Sequence, residues 1–176
     1  MISLTKRILP AKMKNKTVLY LTKDKSSAAL KRAALDDYFG SGEIGVLPSG
    51  KPVILSPEGY FISVSHSGGV VALVISDTPV GLDIEEVREF DFSHLKERFL
   101  SEREKSEVKD AASFFNVWVK KEAEAKISGD GIFSMRGKDT SALFTSLSKE
   151  VSLLAGRDFS ACIATFQPVS YIVKEL

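Results

Sequence analysis

Short apolar or alternating runs predict β-strands over residues 17–21, 60–65, 70–76 and 79–85, with Gly68-Gly69 separating the second from the third. Between residues 26 and 39 the apolar positions Ala29, Leu30, Ala33, Ala34 and Tyr38 recur at helical spacing instead. Asp24 or Ser26 serves as the N-cap of that helix, and Gly40 lies just past its end. Gly42, Gly45, Pro48, Ser49, Gly50 and Pro52 mark the stretch that follows as a turn-rich loop.

Residues 95–109 read as a helix interrupted near Ser101, and residues 114–127 as a second helix closed by Gly129. The tail adds β-like stretches over 142–147, 151–155, 161–166 and 171–173. Helix followed by strands thus occurs twice. The expected fold is α+β, built from two similar halves, 1–78 and 79–176, meeting near Thr78-Pro79 in one compact unit.

The 176 residues suffice for one substantial domain or two closely packed halves. A hydrophobic content of 44% with 27% charged residues fits an ordinary soluble protein, and no apolar run approaches the ~20 residues of a membrane span. The opening segment carries Lys6, Arg7, Lys12, Lys14 and Lys16 without a long apolar core, which reads as a mature N-terminus. A net charge of +1 leaves no global field to recruit nucleic acid or membrane, so an anionic ligand must be met locally. Cys162, the single cysteine, lies in an apolar stretch and reads as a buried structural thiol. The expected setting is the cytoplasm.

Strand alternation puts Val80, Leu82 and Ile84 on one face and Asp83 and Glu85 on the other, with Gly81 leaving room beside them. Two carboxylates so close suit a hard divalent ion; taken alone, the fragment reads more readily as an acidic face open to solvent. On the second helix, Trp118, Glu122 and Lys126 fall on one side at i, i+4 and i+8. That side is apolar upstream, through Phe114, Phe115 and Trp118, and then turns polar. Either the helix has one end in the core and the other lining a polar site, or Glu122 and Lys126 are an exposed pair.

Ser65 and His66 close a strand just before a glycine turn, where hydroxyls and imidazole can meet a phosphate or simply cap the turn. A Ser-His hydrolase is disfavoured, because these two are sequence neighbours and no Gly-x-Ser-x-Gly elbow is present. Gly50-Lys51-Pro52 fixes one basic side chain in a turn. Ser101-Glu102-Arg103-Glu104 has the pattern of a helix capping box.

Taken in order, Gly50-Lys51-Pro52, Ser65-His66-Ser67, Gly81-Leu82-Asp83-Ile84-Glu85, Trp118-x-x-Lys121-Glu122-x-x-x-Lys126 and Gly129-x-Gly131 resemble the motif series of the 4′-phosphopantetheinyl transferases. The resemblance is to the larger single-chain, two-half type that includes the surfactin-synthetase activators, and it is closest over residues 26–132. It implies a pseudo-dimeric α+β fold and a monomer with its active site between the halves. It further implies transfer of phosphopantetheine from coenzyme A to a serine of an apo acyl or peptidyl carrier protein, with Mg²⁺, or Mn²⁺ as the alternative ion.

By the same resemblance, Asp83, Glu85 and Glu122 hold the metal, and Glu122 takes the proton of the carrier serine. Lys126 steadies the pyrophosphate, Lys51 and Pro52 line the adenosine end, Ser65 and His66 lie near its phosphates, and Lys121 adds a coenzyme contact. Glu104 matches a further acidic position. Three departures stand out: Ser63 replaces a common asparagine; the short region before Ser26 lacks a clear counterpart of the basic residues that relatives place on the 3′-phosphate, leaving Lys31 or Arg32 as substitutes; and the build is shorter than that of typical two-half members. Lys96, Arg98 and Phe99 are candidate carrier contacts. Asp83 is expected to be an exposed carboxylate whose removal spares the fold. The rival readings are a non-catalytic coenzyme A or carrier-protein binding module and, more distantly, a phosphohydrolase.

Overall fold

A computed structural model describes residues 17–176. The basic opening segment lies outside the described residues. The order of elements is β1 (Thr17–Thr22), α1 (Ser27–Phe39), β2 (Glu43–Val46), β3 (Pro52–Ser56), β4 (Phe61–Ser67), β5 (Val70–Ser76), β6 (Val80–Glu86), α2 (Ser93–Phe99), α3 (Glu102–Glu107), α4 (Ala111–Ser128), a 3₁₀ turn (Ile132–Met135), β7 (Leu143–Ser146), α5 (Ser148–Ala155), β8 (Phe159–Thr165) and β9 (Tyr171–Glu175).

Three sheets result: β4-β5-β1-β9, the hairpin β2-β3, and β6-β8-β7. Alternation along each strand decides what its faces meet. Leu19, Leu21, Val70, Ala72 and Val74 pack from the four-stranded sheet against Val80, Leu82, Ile84, Ala161 and Ile163 of the β6-β8-β7 sheet. The opposite face of the first sheet presents Tyr20, Ile62, Leu73 and Ile75 to Leu30, Ala34 and Leu35 of α1. Cys162 and Ala164 on the outer face of the β6-β8-β7 sheet meet Val119 and Ala123 of α4. The protein is therefore mixed α+β, with helices on the outer faces of two packed sheets.

The boundary expected at residues 78 and 79 falls in the turn between β5 and β6. The last strand crosses it, because β9 pairs parallel to β1 and forms the edge of the first sheet. Two expectations are corrected. The loop predicted over 40–52 contains β2 and leads into β3, a hairpin closed by Leu47 N–H to Lys51 O at 2.9 Å; its turn-forming residues sit at the tip and hide the pairing Ile44↔Ile54. The β-like stretch 151–155 is helical. Val151, Leu154 and Ala155 recur at i, i+3 and i+4 and pack on the core, and Gly156 ends the helix at φ 73°.

The two main sheets also join at their edges. β6 turns its outer N–H groups toward β4, and β4 answers with a hydroxyl on every second residue. Leu82 N–H donates to Ser63 Oγ at 3.0 Å, Ile84 N–H to Ser65 Oγ at 3.4 Å and Glu86 N–H to Ser67 Oγ at 3.1 Å. Three otherwise unpaired donors of an edge strand are thereby satisfied inside the protein.

Candidate active site

α4 is anchored at both ends. Asp110 and Ser113 form a reciprocal capping box, and Gly129 ends the helix in the left-handed conformation at φ 85°. Its apolar first half sits in an aromatic cluster, with Phe114 stacked on Phe92 and Trp118. Its second half lies on β6 at very close range: a Cβ built on Gly81 falls 1.8 Å from Ala123 O. The glycine lets the helix backbone touch the strand, which brings Glu122 and Lys126 beside Asp83.

Lys126 Nζ donates to Asp83 Oδ1 at 2.7 Å and to Ser65 Oγ at 3.0 Å, while Ser65 Oγ–H donates to that same Asp83 oxygen at 2.8 Å. Asp83 is buried, and its second oxygen, Oδ2, has no hydrogen-bond partner. Burial pushes the Asp83 carboxyl up, against the opposing pull of Lys126 and Ser65. Glu85 accepts from Ser67 Oγ–H at 2.8 Å and is also raised, first by burial and then by the Asp83 charge. Glu122 is half-buried, and burial together with Asp83 and Glu85 lifts it to about 7 although Lys126 favours its charged form. Three acids thus share one neighbourhood with one ammonium.

A cleft of about 260 Å³ opens beside this cluster, lined by Lys51, Pro52, Ser63, Glu122, Lys126 and Gly131 among others. Lys51 Nζ donates to Ile127 O at the C-terminal end of α4, where a cation meets the negative end of the helix dipole. Its aliphatic stem lies over Gly129, whose Cβ would fall 2.8 Å from Lys51 Cδ.

Most of the sequence-predicted residues meet at this cluster and cleft, but several do not. Lys121 is fully buried and turned away, held by Glu104 Oε2 at 2.8 Å and donating to Met135 O at 3.2 Å and Lys138 O at 2.5 Å. Glu104 completes the Ser101 capping box and accepts from Thr140 N–H at 3.3 Å, so this pair fixes α3, α4 and the following loop. Adjacent positions on α4 point about 100° apart, which seats Glu122 at the cleft and Lys121 in the interior. His66 lies within β4, opposite Val71, and is exposed; the strand continues to Ser67 rather than turning at His66. Lys31 lies half-buried on α1 and does not line the cleft.

Two further expectations change. Asp83 is 4% exposed, not an open strand carboxylate, because α4 and β4 close over it. Among the carrier-contact candidates, Phe99 is buried and Lys96 Nζ donates to Val108 O, whereas Arg98 stacks over Phe133, which is 64% exposed. Ser67 and the helix contact of Gly81 are the site features that sequence reasoning missed. The spacing Ser63-x-Ser65-x-Ser67 was their available signal.

The donor chemistry fits a hard divalent cation. The cluster offers carboxylate oxygens, and one of them, Asp83 Oδ2, is buried with no partner. As they stand, no three acidic, histidine or cysteine side chains among the described residues gather closely enough to hold a metal. Glu85 and Glu122 would have to turn toward Asp83. No described helix is long and apolar enough to cross a membrane.

Comparison with known proteins agrees with the motif order. Residues 79–167, just over half of the chain, match the family model described as the 4′-phosphopantetheinyl transferase superfamily. The chain is 38% identical over 90 residues to "4′-phosphopantetheinyl transferase psf-1" of Bacillus pumilus, covering 48% of this chain and 38% of that protein. It is 30% identical over 125 residues to "4′-phosphopantetheinyl transferase" of Bacillus subtilis, covering 64% of this chain and 54% of the relative. Against "4′-phosphopantetheinyl transferase AcpT" of Salmonella typhi it is 32% identical over 126 residues, covering 66% and 64%. The chain therefore spans between 38% and 64% of the lengths of these three curated relatives.

Proposed function

The chain belongs to the 4′-phosphopantetheinyl transferase superfamily, and on that footing we propose that it transfers the 4′-phosphopantetheine group of coenzyme A to a serine of an apo acyl or peptidyl carrier protein. Adenosine 3′,5′-bisphosphate is the second product. The proposal places the protein in the cytoplasm as a monomer of the two-half type, its halves meeting near residues 78 and 79.

One observation carries the reading: a cleft lined by Lys51, Ser63, Glu122 and Lys126 opens beside a buried Asp83 with one partnerless oxygen. Phosphoryl transfer asks mainly for positioning and for neutralisation of developing charge, and the cleft offers both cations and acids. Asp83, Glu85 and Glu122 are the residues that would hold Mg²⁺, which when bound neutralises the pyrophosphate. Lys51 and Pro52 border the adenosine end. Ser65 fixes the Asp83 carboxylate in place through its own hydroxyl.

The carrier serine oxygen bonds to the phosphorus bearing the pantetheine arm, and the bond from that phosphorus to the bridging oxygen breaks. Glu122 accepts the serine proton. Its carboxyl, lifted to about 7, matches a general base working near neutrality. The Lys126 ammonium balances charge on the departing adenosine bisphosphate. The exposed Phe133, with Arg98 over it, offers an apolar and basic surface to an acidic carrier.

Chromatographic measurement of adenosine 3′,5′-bisphosphate separates the readings. Release from coenzyme A and Mg²⁺ only when an apo carrier is present supports transfer. Coenzyme binding without release favours a binding module, and release without any carrier favours a hydrolase.

A further inference from the structure

The Lys126 ammonium rests on the same carboxylate that the proposed metal needs. Its two hydrogen bonds, 2.7 Å to Asp83 Oδ1 and 3.0 Å to Ser65 Oγ, hold it at the buried end of the cluster, and its side chain is only 30% exposed. Ser65 is itself pinned by Ile84 N–H and by its bond to Asp83, so the ammonium lies in a prepared place. Asp83, Glu85 and Glu122 share a neighbourhood but do not form a three-residue ligand set among the described residues. The Arg88 guanidinium reaches Glu85 at 3.9 Å and stacks over Phe90 and Phe115, and that of Arg157 pairs with Glu86.

We infer that Lys126 is a built-in counter-ion that opposes divalent-cation binding until the coenzyme's pyrophosphate draws the ammonium off Asp83. A divalent ion on Asp83 meets a like charge bound to that carboxylate, in a site too buried for water to screen it well. A pyrophosphate entering the cleft gives the ammonium another anionic partner and gives the metal further oxygen ligands. Metal and coenzyme therefore bind with positive coupling beyond their mutual contact, and part of that coupling resides in Lys126. The device keeps the acids from loading with metal in the absence of substrate. It rests on the proposed function for the identity of the incoming anion, though not for the competition between the two cations.

The test is Mn²⁺ binding to the full chain, read by electron paramagnetic resonance without coenzyme or carrier. Lys126→Met is expected to bind Mn²⁺ at least about tenfold more tightly than the unsubstituted protein. Lys126→Arg, which keeps the charge, is expected to stay within about threefold. Equal or weaker binding by Lys126→Met overturns the inference.

A second measurement serves if that variant does not fold. In the unsubstituted protein, nuclear magnetic resonance of the lysine Nζ groups should show Lys126 leaving Asp83 as Mg²⁺ is added to saturation. A Lys126 signal that stays put while the Asp83 carboxyl signal moves also overturns it. Coenzyme A binding is measured in parallel. Its absence, with tighter Mn²⁺ binding in Lys126→Met, refutes the proposed function and leaves this inference standing; its presence with unchanged Mn²⁺ binding does the reverse.

Discussion

Gly81→Ala tests whether the contact between β6 and α4 sets the geometry of the site. The new Cβ would lie 1.8 Å from Ala123 O, 2.8 Å from Ala123 C and 3.1 Å from Ile127 Cγ1. Two of those atoms belong to the helix backbone, so no side-chain rotation relieves the clash. The first gap must open to the 3.4 Å at which ordinary contact begins, and α4 must move to open it. The backbone of Gly81 itself does not require glycine, since its φ is outside the left-handed range.

Overpacking of this kind costs about 1–3 kcal/mol. For a chain of this length each kcal/mol moves the melting temperature by about 2–4 °C, which gives a fall of roughly 2–12 °C. The moving helix carries Glu122 and Lys126 away from Asp83, and a displacement near 1 Å costs about 100-fold in rate. The assays are thermal unfolding by circular dichroism and phosphopantetheine transfer by intact-protein mass spectrometry. A melting temperature within about 1 °C of the unsubstituted protein, with a rate within about threefold, would refute the reasoning.

Glu122→Gln should slow the transfer step by about 100-fold or more while coenzyme A affinity changes little, as loss of a general base does; an unchanged rate assigns the base elsewhere. Glu122 has its carboxyl raised from 4.5 to about 7 in the folded protein, chiefly by burial. The fold thus favours the protonated acid, and that contribution, complete at low pH, is lost as pH rises through about 7. Glu122→Gln should therefore gain in urea midpoint over the unsubstituted protein between about pH 5 and pH 8, and a constant difference contradicts the assignment. Lys121→Met strands buried Glu104 and should cost about 3–5 kcal/mol in urea unfolding. Adding Glu104→Leu should return part of that loss, and two independent, additive losses would show that the pair is not coupled.

The strands and helices that carry the site were legible because their periodicities are strong. β6 alternates cleanly through Val80, Leu82 and Ile84, and α4 runs uninterrupted from its Asp110 cap to Gly129. The motif order picked out residues that the structure brings together, since Asp83, Glu122 and Lys126 lie on those two elements. Burial was less legible. Alternation put Asp83 on the outer face of β6 but gave no sign that α4 and β4 would cover it. Lys121 next to Glu122 looked like a second cleft cation, whereas the turn of the helix sends it to Glu104. The short run at 151–155 failed because a few apolar residues satisfy a strand and a helix alike. Pairing between distant segments, such as β9 with β1 or the serine ladder with β6, leaves almost no local trace.

The most direct test of the central claim is intact-mass spectrometry of apo carrier proteins, one of the fatty-acid type and one of the peptide-synthetase type, incubated with this protein, coenzyme A and Mg²⁺. The account predicts a gain of one phosphopantetheine on at least one carrier, lost with chelator and lost with Asp83→Asn in a protein that remains folded. No gain on either carrier, or an equal gain with Asp83→Asn, would contradict it.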